Sequence, residues 1–208
     1  MIENLLSSYL SVIVLDSKAL SKQILQKMRK DVPIIAADGA ARWLQSDYII
    51  GDIDSLSVSS SNGAQVICVS EQETTDFEKC MRFAEERNLL PSLVLGISGG
   101  EIDHVLGNIQ ALLKHAKNHS FFFLDDYQEG VKIGLPLTKG NYRAQVKPNA
   151  TISILPFYLC TLTTKGLFWE LENQALTPDG LNATRNRAIQ DTVEFHIIEG
   201  KALVIIDI

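Results

Sequence analysis

Short unbroken apolar runs alternate with amphipathic stretches through the first part of the chain. Residues 10–15 (LSVIVL), 32–38 (VPIIAAD), 48–55 (YIIGDIDS), 65–70 (QVICVS), 92–98 (SLVLGIS) and 120–126 (SFFFLDD) each read as a strand. Helical spacing fills the intervals. Residues 21–30 place Ile24, Leu25 and Met28 on one face, and Gly39 opens a short helix. Residues 75–88 carry Phe77, Cys80, Met81 and Ala84 as a stripe, and residues 103–117 carry Val105, Leu106, Ile109, Leu112 and Leu113. Thr75 followed three residues later by Glu78 predicts a capping box at the start of the third helix. Continuous apolar strands alternating with helices predict a largely parallel sheet covered by helices on both faces.

The pattern changes after Asp126. Gly130, Gly134, Pro136, Gly140 and Pro148 punctuate short stretches, and no helical period follows. ATISILPF, LTTKGLFWEL, TVEFHIIEG and KALVIIDI read as strands, the last two joined at Glu199-Gly200 as a C-terminal hairpin. The expected organisation is an α/β domain over residues 1–127 and a smaller all-β sandwich domain over 128–208.

Composition narrows the function. Hydrophobic residues make up 46% of the 208, enough for a sizeable core. The net charge is -6, and no block of Lys or Arg exceeds a pair, so the positive footprint of a nucleic-acid surface is missing. A phosphorylated small molecule stays compatible, because metal ions can carry the compensating charge. Cys68, Cys80 and Cys160 offer neither a disulfide framework nor a CxxC pair, and read as buried thiols in a reducing compartment. The N-terminus carries Glu3 and no basic leader, and no apolar run reaches the roughly 18 residues of a membrane helix. A cytoplasmic protein is expected, with no membrane partner.

Polar chemistry gathers in loops that follow the predicted strands. In Gly51-Asp52-Ile53-Asp54-Ser55 the alternate aspartates project together in extended chain, where a hard cation such as Mg²⁺ would relieve their repulsion. A solvent-exposed Asx turn fits the same residues. Glu71 and Glu73 alternate before Thr75 and Asp76, whose own positions also fit ordinary helix capping. Lys79, one turn on, can reach a phosphate or pair with Glu78 or water. Ser98, Gly99 and Gly100 lead to a helix start at which a phosphate could approach closely, with Asp103, His104 and Asn108 beside it. This loop is neither the dinucleotide fingerprint nor the Walker loop. Asp38 and Gly39 end another strand, and Asp38 either contacts nucleotide or metal or caps the helix. In a parallel α/β sheet such loops converge on one crevice.

Four segments together resemble the thiamine pyrophosphokinase family: AADGAARWL (36–44), GDIDS (51–55), TTDFEKC (74–80) and GGEIDHVLGN (99–108). The resemblance covers the α/β half well and the β half more loosely. It implies a domain that binds ATP and Mg²⁺, a β-sandwich domain, and a homodimer with thiamine near the subunit interface. It implies in-line attack of the thiamine hydroxyl on the β-phosphorus of ATP, giving thiamine diphosphate and AMP. On that resemblance Asp52, Asp54, Asp76 and Asp103 stand at the chemistry. Asp52, Asp54, Asp103, Glu71 and Glu73 stand at the metal. Asp38, Gly39, Lys79, Ser98, Gly99, Gly100, His104 and Asn108 stand at the nucleotide. LTTKGLFWEL and GLNATRN resemble the thiamine-binding segments, which puts Trp169, Thr184 and Asn186, with Asp76, at thiamine. A core or interface position is the alternative for Trp169.

The sequence departs from the family in three places. Glu101 replaces a basic residue, Glu71 and Glu73 replace aspartates, and Arg185 replaces the serine before Asn186. Arg42, Lys79, Arg82 and Arg185 are candidates for the compensating positive charge. The rival readings are a diphosphokinase for another hydroxymethyl compound, a metal-dependent nucleotide phosphohydrolase, and a non-catalytic thiamine- or nucleotide-binding module.

Overall fold

The chain opens with a helix that the apolar pattern does not predict, α1 (Ile2–Ser8), which buries Ile2 and Leu5. The structure is a computed structural model that describes residues 2–17, 22–52, 63–115, 120–126, 130–181 and 183–208. The chain forms two compact units, one of Tyr9–Ala111 with Asp125–Tyr127, the other of Met1–Ser8, Leu112–Leu124 and Gln128–Ile208.

In the first unit the apolar runs are strands. They are β1 (Ser11–Val14), β2 (Ile34–Ala37), β3 (Tyr48–Gly51), β4 (Gln65–Cys68) and β5 (Ser92–Leu95), with α2 (Lys22–Lys27) between β1 and β2. They lie in the order β5-β1-β2-β3-β4, and every pair is parallel. All four residues of both β1 and β5 are buried, which is why these strands read as unbroken apolar runs. At the edge, β4 is largely exposed, and Cys68 on it is exposed where a buried thiol was expected. Cys80 and Cys160 are buried, and burial pushes both thiols up, that of Cys160 to about 11.

A 3-10 helix (Asp38–Arg42) follows β2, and α3 (Asp76–Glu86) lies against β2 and β3. The expected capping box is present. Thr75 Oγ1 accepts from Glu78 N at 3.2 Å, and Glu78 Oε2 accepts from Thr75 N at 3.3 Å. The predicted stripe of Phe77, Cys80, Met81 and Ala84 is buried. Helix α4 (Ile102–Lys114) buries Ala111, Leu112 and Leu113, but Leu106 is 57% exposed rather than packed as its spacing suggests.

The second unit contains β6 (Phe121–Asp125), β7 (Lys132–Leu137), β8 (Gly140–Gln145), β9 (Thr151–Lys165), β10 (Gln174–Leu176), β11 (Ala183–Arg187) and β12 (Thr192–Asp207). Among the described residues after 130 there is no helix. The expected C-terminal hairpin is instead one 16-residue strand, β12. Gly200, at φ 81°, makes a bulge and not a turn, and the pairing with β9 shifts register on either side of it. One edge of β12 pairs with β8 over Thr192–Ile197 and with β7 over Ala202–Asp207, while the other edge pairs with β9. The stretch 162–171 is not one strand either. Strand β9 ends at Lys165, Gly166 takes φ 91°, and the chain returns so that Thr164 N donates to Leu171 O at 2.8 Å. Gly134 sits inside β7 because the ring of Phe123 fills the space a Cβ would take. Among the described residues no helix is long and apolar enough to cross a membrane.

The loop before α3 is shaped by one carboxylate. Glu71 Oε2 accepts from Glu73 N at 2.8 Å and Thr74 N at 3.0 Å, and Oε1 accepts from the Thr74 hydroxyl and the Arg82 guanidinium. Arg82 also donates to Thr74 Oγ1 at 2.9 Å, closing the cluster. The Thr74 hydroxyl, assisted by Arg82 and the backbone donors, holds the Glu71 carboxyl down to about 2. Two predictions follow from this packing. Gly134→Ala is expected to cost about 1–3 kcal/mol, because the Phe123 ring must move, and denaturant melts will measure it. Glu71 has an ordinary value of 4.5, so its contribution to stability is present above that pH and is lost as pH falls toward about 2. A melting-temperature profile against pH will show this acid-sensitive component in the wild type, and Glu71→Gln will lack it.

Candidate active site

In the first unit the chain runs outward from β1 through β2, β3 and β4, and then crosses back to place β5 on the other side of β1. Loops leaving β1 and β5 therefore part in opposite directions, and a crevice opens at the carboxyl ends of the strands. Such a cleft, of about 710 Å³, is present there. Leu15 and Asp16 after β1 line it, as do Gly96 and Ile97 after β5. Gly96 takes φ 81° at a place where a Cβ would lie 2.7 Å from the carbonyl oxygen of Leu15, so glycine is required for the two loops to approach.

Most of the expected site residues meet in this cleft. Asp38, Gly39, Asp52, Asp76, Lys79, Gly100, Asp103, His104 and Asn108 all line it. Asp38 is buried at the start of the 3-10 helix. At Gly51 a Cβ would fall 2.7 Å from Asp38 Cβ and 3.3 Å from Asp76 Oδ1, so these two aspartates flank the backbone just before Asp52. The Lys79 side chain is only 3% exposed, and its Nζ lies 3.1 Å from Asp76 Oδ1. A buried ammonium needs such a partner, and Asp76 supplies it. Asp103 and His104 are exposed in the first turn of α4, and Asp103 Oδ1 accepts from His104 N at 2.9 Å.

Other expected residues lie elsewhere. Glu71 and Glu73 do not line the cleft, and both oxygens of Glu71 face its own loop. Ser98 and Gly99 are also outside the lining. Ser98 Oγ donates to Asp125 Oδ1 at 2.8 Å, and its carbonyl accepts from the Ser17 hydroxyl. Asp54 lies outside the described residues.

Among the polar residues of the cleft that were not named as site residues are Asp16 and Gln72. Asp16 follows a predicted strand just as Asp38 does, so the same rule points to it. Gln72 carries no charge to draw notice, yet it lines the cleft and its Nε2 lies 3.3 Å from Asp52 Oδ2.

Trp169, Thr184 and Asn186 belong to the second unit. Asn186 is buried, and its amide spans the backbone of Trp169: Oδ1 accepts from Trp169 N at 3.2 Å and Nδ2 donates to Trp169 O at 2.7 Å. Glu170 holds the adjacent turn, its Oε1 accepting from Gly166 N at 2.6 Å and Leu167 N at 3.0 Å. The Trp169 ring is thereby presented 62% exposed, edge-on to Phe168 with ring centres 4.8 Å apart. Thr184 is exposed on β11.

Comparison with known proteins identifies the family. The family model for the thiamin pyrophosphokinase catalytic domain matches residues 24–123, and that for the thiamin pyrophosphokinase vitamin B1 binding domain matches residues 141–201. Thiamine pyrophosphokinase 1 of Oryza sativa subsp. japonica is 30% identical over 190 residues, which cover 83% of this chain and 70% of the relative. Thiamine pyrophosphokinase of Bacillus subtilis (strain 168) is 28% identical over 164 residues, covering 74% and 75%. Among solved structures, thiamine pyrophosphokinase from Bacillus subtilis shares the fold with a TM-score of 0.77 at 21% identity, covering 95% of this chain and 98% of that one. Thiamin pyrophosphokinase from Candida albicans does so with a TM-score of 0.76 at 19% identity, covering 95% and 88%. With both domain models matched in order along its length, the chain belongs to the thiamine pyrophosphokinase family.

Proposed function

We propose that this chain transfers the β,γ-diphosphate of ATP to the hydroxyl of thiamine, giving thiamine diphosphate and AMP. The observation that carries this reading is the carboxylate-rich cleft at the β1/β5 switch point. A pocket lined by Asp16, Asp38, Asp52, Asp76 and Asp103 is unfavourable by itself and suits a cationic complement. The donor set is all oxygen, and the missing Cβ at Gly51 leaves Asp38 and Asp76 close about the backbone next to Asp52. That fits Mg²⁺, which takes one or two carboxylates and completes its shell with water and phosphate oxygens. On the family resemblance Asp52 and Asp103 would hold the ion, and among the described residues no three His, Cys, Asp or Glu side chains are gathered into a ready-made metal site. Bound there, Mg²⁺ supplies neutralisation of phosphate charge and alignment of the reacting groups.

The remaining work falls to the protein. The thiamine oxygen forms a bond to the β-phosphorus as the bond from that phosphorus to the bridging oxygen breaks. AMP leaves with the electron pair, and the hydroxyl proton passes to solvent. Lys79 fixes the Asp76 carboxylate, and the first turn of α4 brings Asp103 and His104 to the lining of the cleft. Glu71 acts through its loop, holding Thr74, Thr75 and Asp76 at the cleft. Trp169, presented by Asn186 and Glu170, offers a face for the thiamine ring. The exposed Phe168, Trp169, Leu181 and Ile189 support assembly as a homodimer, and the free thiols of Cys68, Cys80 and Cys160 suit a reducing compartment such as the cytoplasm.

Product analysis tests the reaction. Purified protein with ATP, Mg²⁺ and thiamine is expected to release AMP and thiamine diphosphate in equal amounts. ADP with thiamine monophosphate would refute diphosphate transfer. Nucleotide breakdown indifferent to thiamine would point to a hydrolase, and binding without turnover to a non-catalytic module. Asp52→Asn and Asp103→Asn are each expected to lower kcat/KM at least about a hundredfold. Trp169→Ala is expected to raise the KM for thiamine about three- to tenfold, the size of a lost ring stack, with the KM for ATP unchanged in steady-state assays.

A further inference from the structure

The described lining of the cleft includes three basic side chains, Arg42, Lys79 and His104. Resting on the nucleotide reading above, one of them must meet a polyphosphate carrying several negative charges among five aspartates. Lys79 is buried and spent on Asp76 at 3.1 Å. His104 is exposed, and an imidazole ring offers no planar fork of donors with which to clamp a phosphate. Arg82 stands apart from this role, being tied to Glu71 and Thr74.

Arg42 differs from all of these. Its side chain is 55% exposed, at the end of the 3-10 helix after β2. Its Nε donates to Gly39 O at 3.2 Å, which anchors the stem of the guanidinium. Its Nη2 donates to Asp16 Oδ2 at 3.1 Å. A guanidinium has five N–H donors in a rigid planar fork, so these two bonds leave donors that can turn to a second anion. Asp16 is itself held from behind. Trp43 Nε1 donates to its other oxygen, Oδ1, at 3.1 Å, and its Cβ packs where a Cβ on Gly39 would be, at 2.8 Å. A fixed carboxylate thus occupies the guanidinium at the mouth of the cleft. Both partners are about half exposed, and an ion pair of that kind contributes little to stability. A phosphate oxygen pair offers the same planar fork geometry with more charge.

We propose that Arg42 is the side chain that grips the polyphosphate of the nucleotide, and that Asp16 is its resident counter-ion, giving up the guanidinium when nucleotide enters. Asp16 then opposes binding, because its negative charge remains close to the incoming phosphates. The two partners of one ion pair therefore have opposite effects on affinity, which a simple brace for the 3-10 helix would not produce.

Calorimetric titration of a non-hydrolysable ATP analogue in Mg²⁺ buffer tests this on wild type, Arg42→Gln, Arg42→Lys and Asp16→Asn. Arg42→Gln is expected to bind about tenfold or more weakly, the loss of one charge-assisted contact, and its remaining affinity will fall less steeply with ionic strength. Arg42→Lys will recover part of the affinity, because the charge returns without the fork. Asp16→Asn keeps the acceptor for Trp43 but removes the competing charge, and will bind more tightly than wild type. If Arg42→Gln and Asp16→Asn both weaken binding, with parallel falls in melting temperature, the pair is a brace and the proposal is wrong. If wild type binds and Arg42→Gln binds equally well, the role of Arg42 fails while the nucleotide reading stands. If wild type binds no analogue, both fail together.

Discussion

The position of β1 between two parallel neighbours, β2 on one side and β5 on the other, is the constraint on which the cleft depends. Parallel strands deliver all their carboxyl ends to one edge. The reversal of strand order at β1 stops the loops there from packing against each other. Strands β1 and β5 are buried along their whole length, so their ends are fixed by the core and not by the loops they carry. Asp16, Asp38, Asp52 and the Gly96 turn each follow a strand of this sheet within two residues. The convergence of carboxylates from distant parts of the sequence is thus a consequence of parallel strand pairing and hydrophobic burial.

Convergence of like charges then has to be tolerated. The cleft does so locally, one carboxylate at a time. Lys79 neutralises Asp76 from within the core, Arg42 and Trp43 hold Asp16 at its mouth, and the Gln72 amide meets Asp52. Glu71 is drawn away altogether into its own loop. What is left facing the cleft is a set of acids with few cations among the described residues, an environment suited to a cationic complement. The distinction between carboxylates that shape loops and carboxylates that face the cleft comes from competing donors. Glu71 has two backbone N–H groups, a hydroxyl and a guanidinium within reach, and an acid so well supplied has little capacity to spare for an ion.

That distinction was not legible in the sequence. The alternation Glu71-Gln72-Glu73 resembles Asp52-Ile53-Asp54 in spacing, and spacing alone cannot say that Arg82, one helix later, will claim the first acid. The strands of the first unit were legible because burial on both faces leaves an unbroken apolar signature. The start of α3 was legible because a capping box is written entirely in local residues. The β region was harder to read. A glycine that ends one strand and a glycine that bulges another look alike in sequence. Gly200 continues β12 while Gly166 ends β9, at φ 81° and φ 91°. What separates them is the pairing on each side. Strand β12 has partners along both edges before and after its glycine, so breaking it would orphan two ladders of backbone groups.

The same logic explains how a large aromatic ring can stay at the surface without being loose. An exposed Trp169 gains little from burial, so its position has to be set through its backbone. Asn186 takes both the N–H and the carbonyl of that residue, and Glu170 takes the N–H groups of the turn before it. Asn186 can serve in this way because it is buried, where an amide forgoes water and holds strongly to the partners it has. Two buried polar groups in this protein therefore do such positioning: Asn186 behind Trp169, Lys79 behind Asp76. In each pair the partner with greater access to solvent is the one a ligand can reach, and the buried one decides where it will be found.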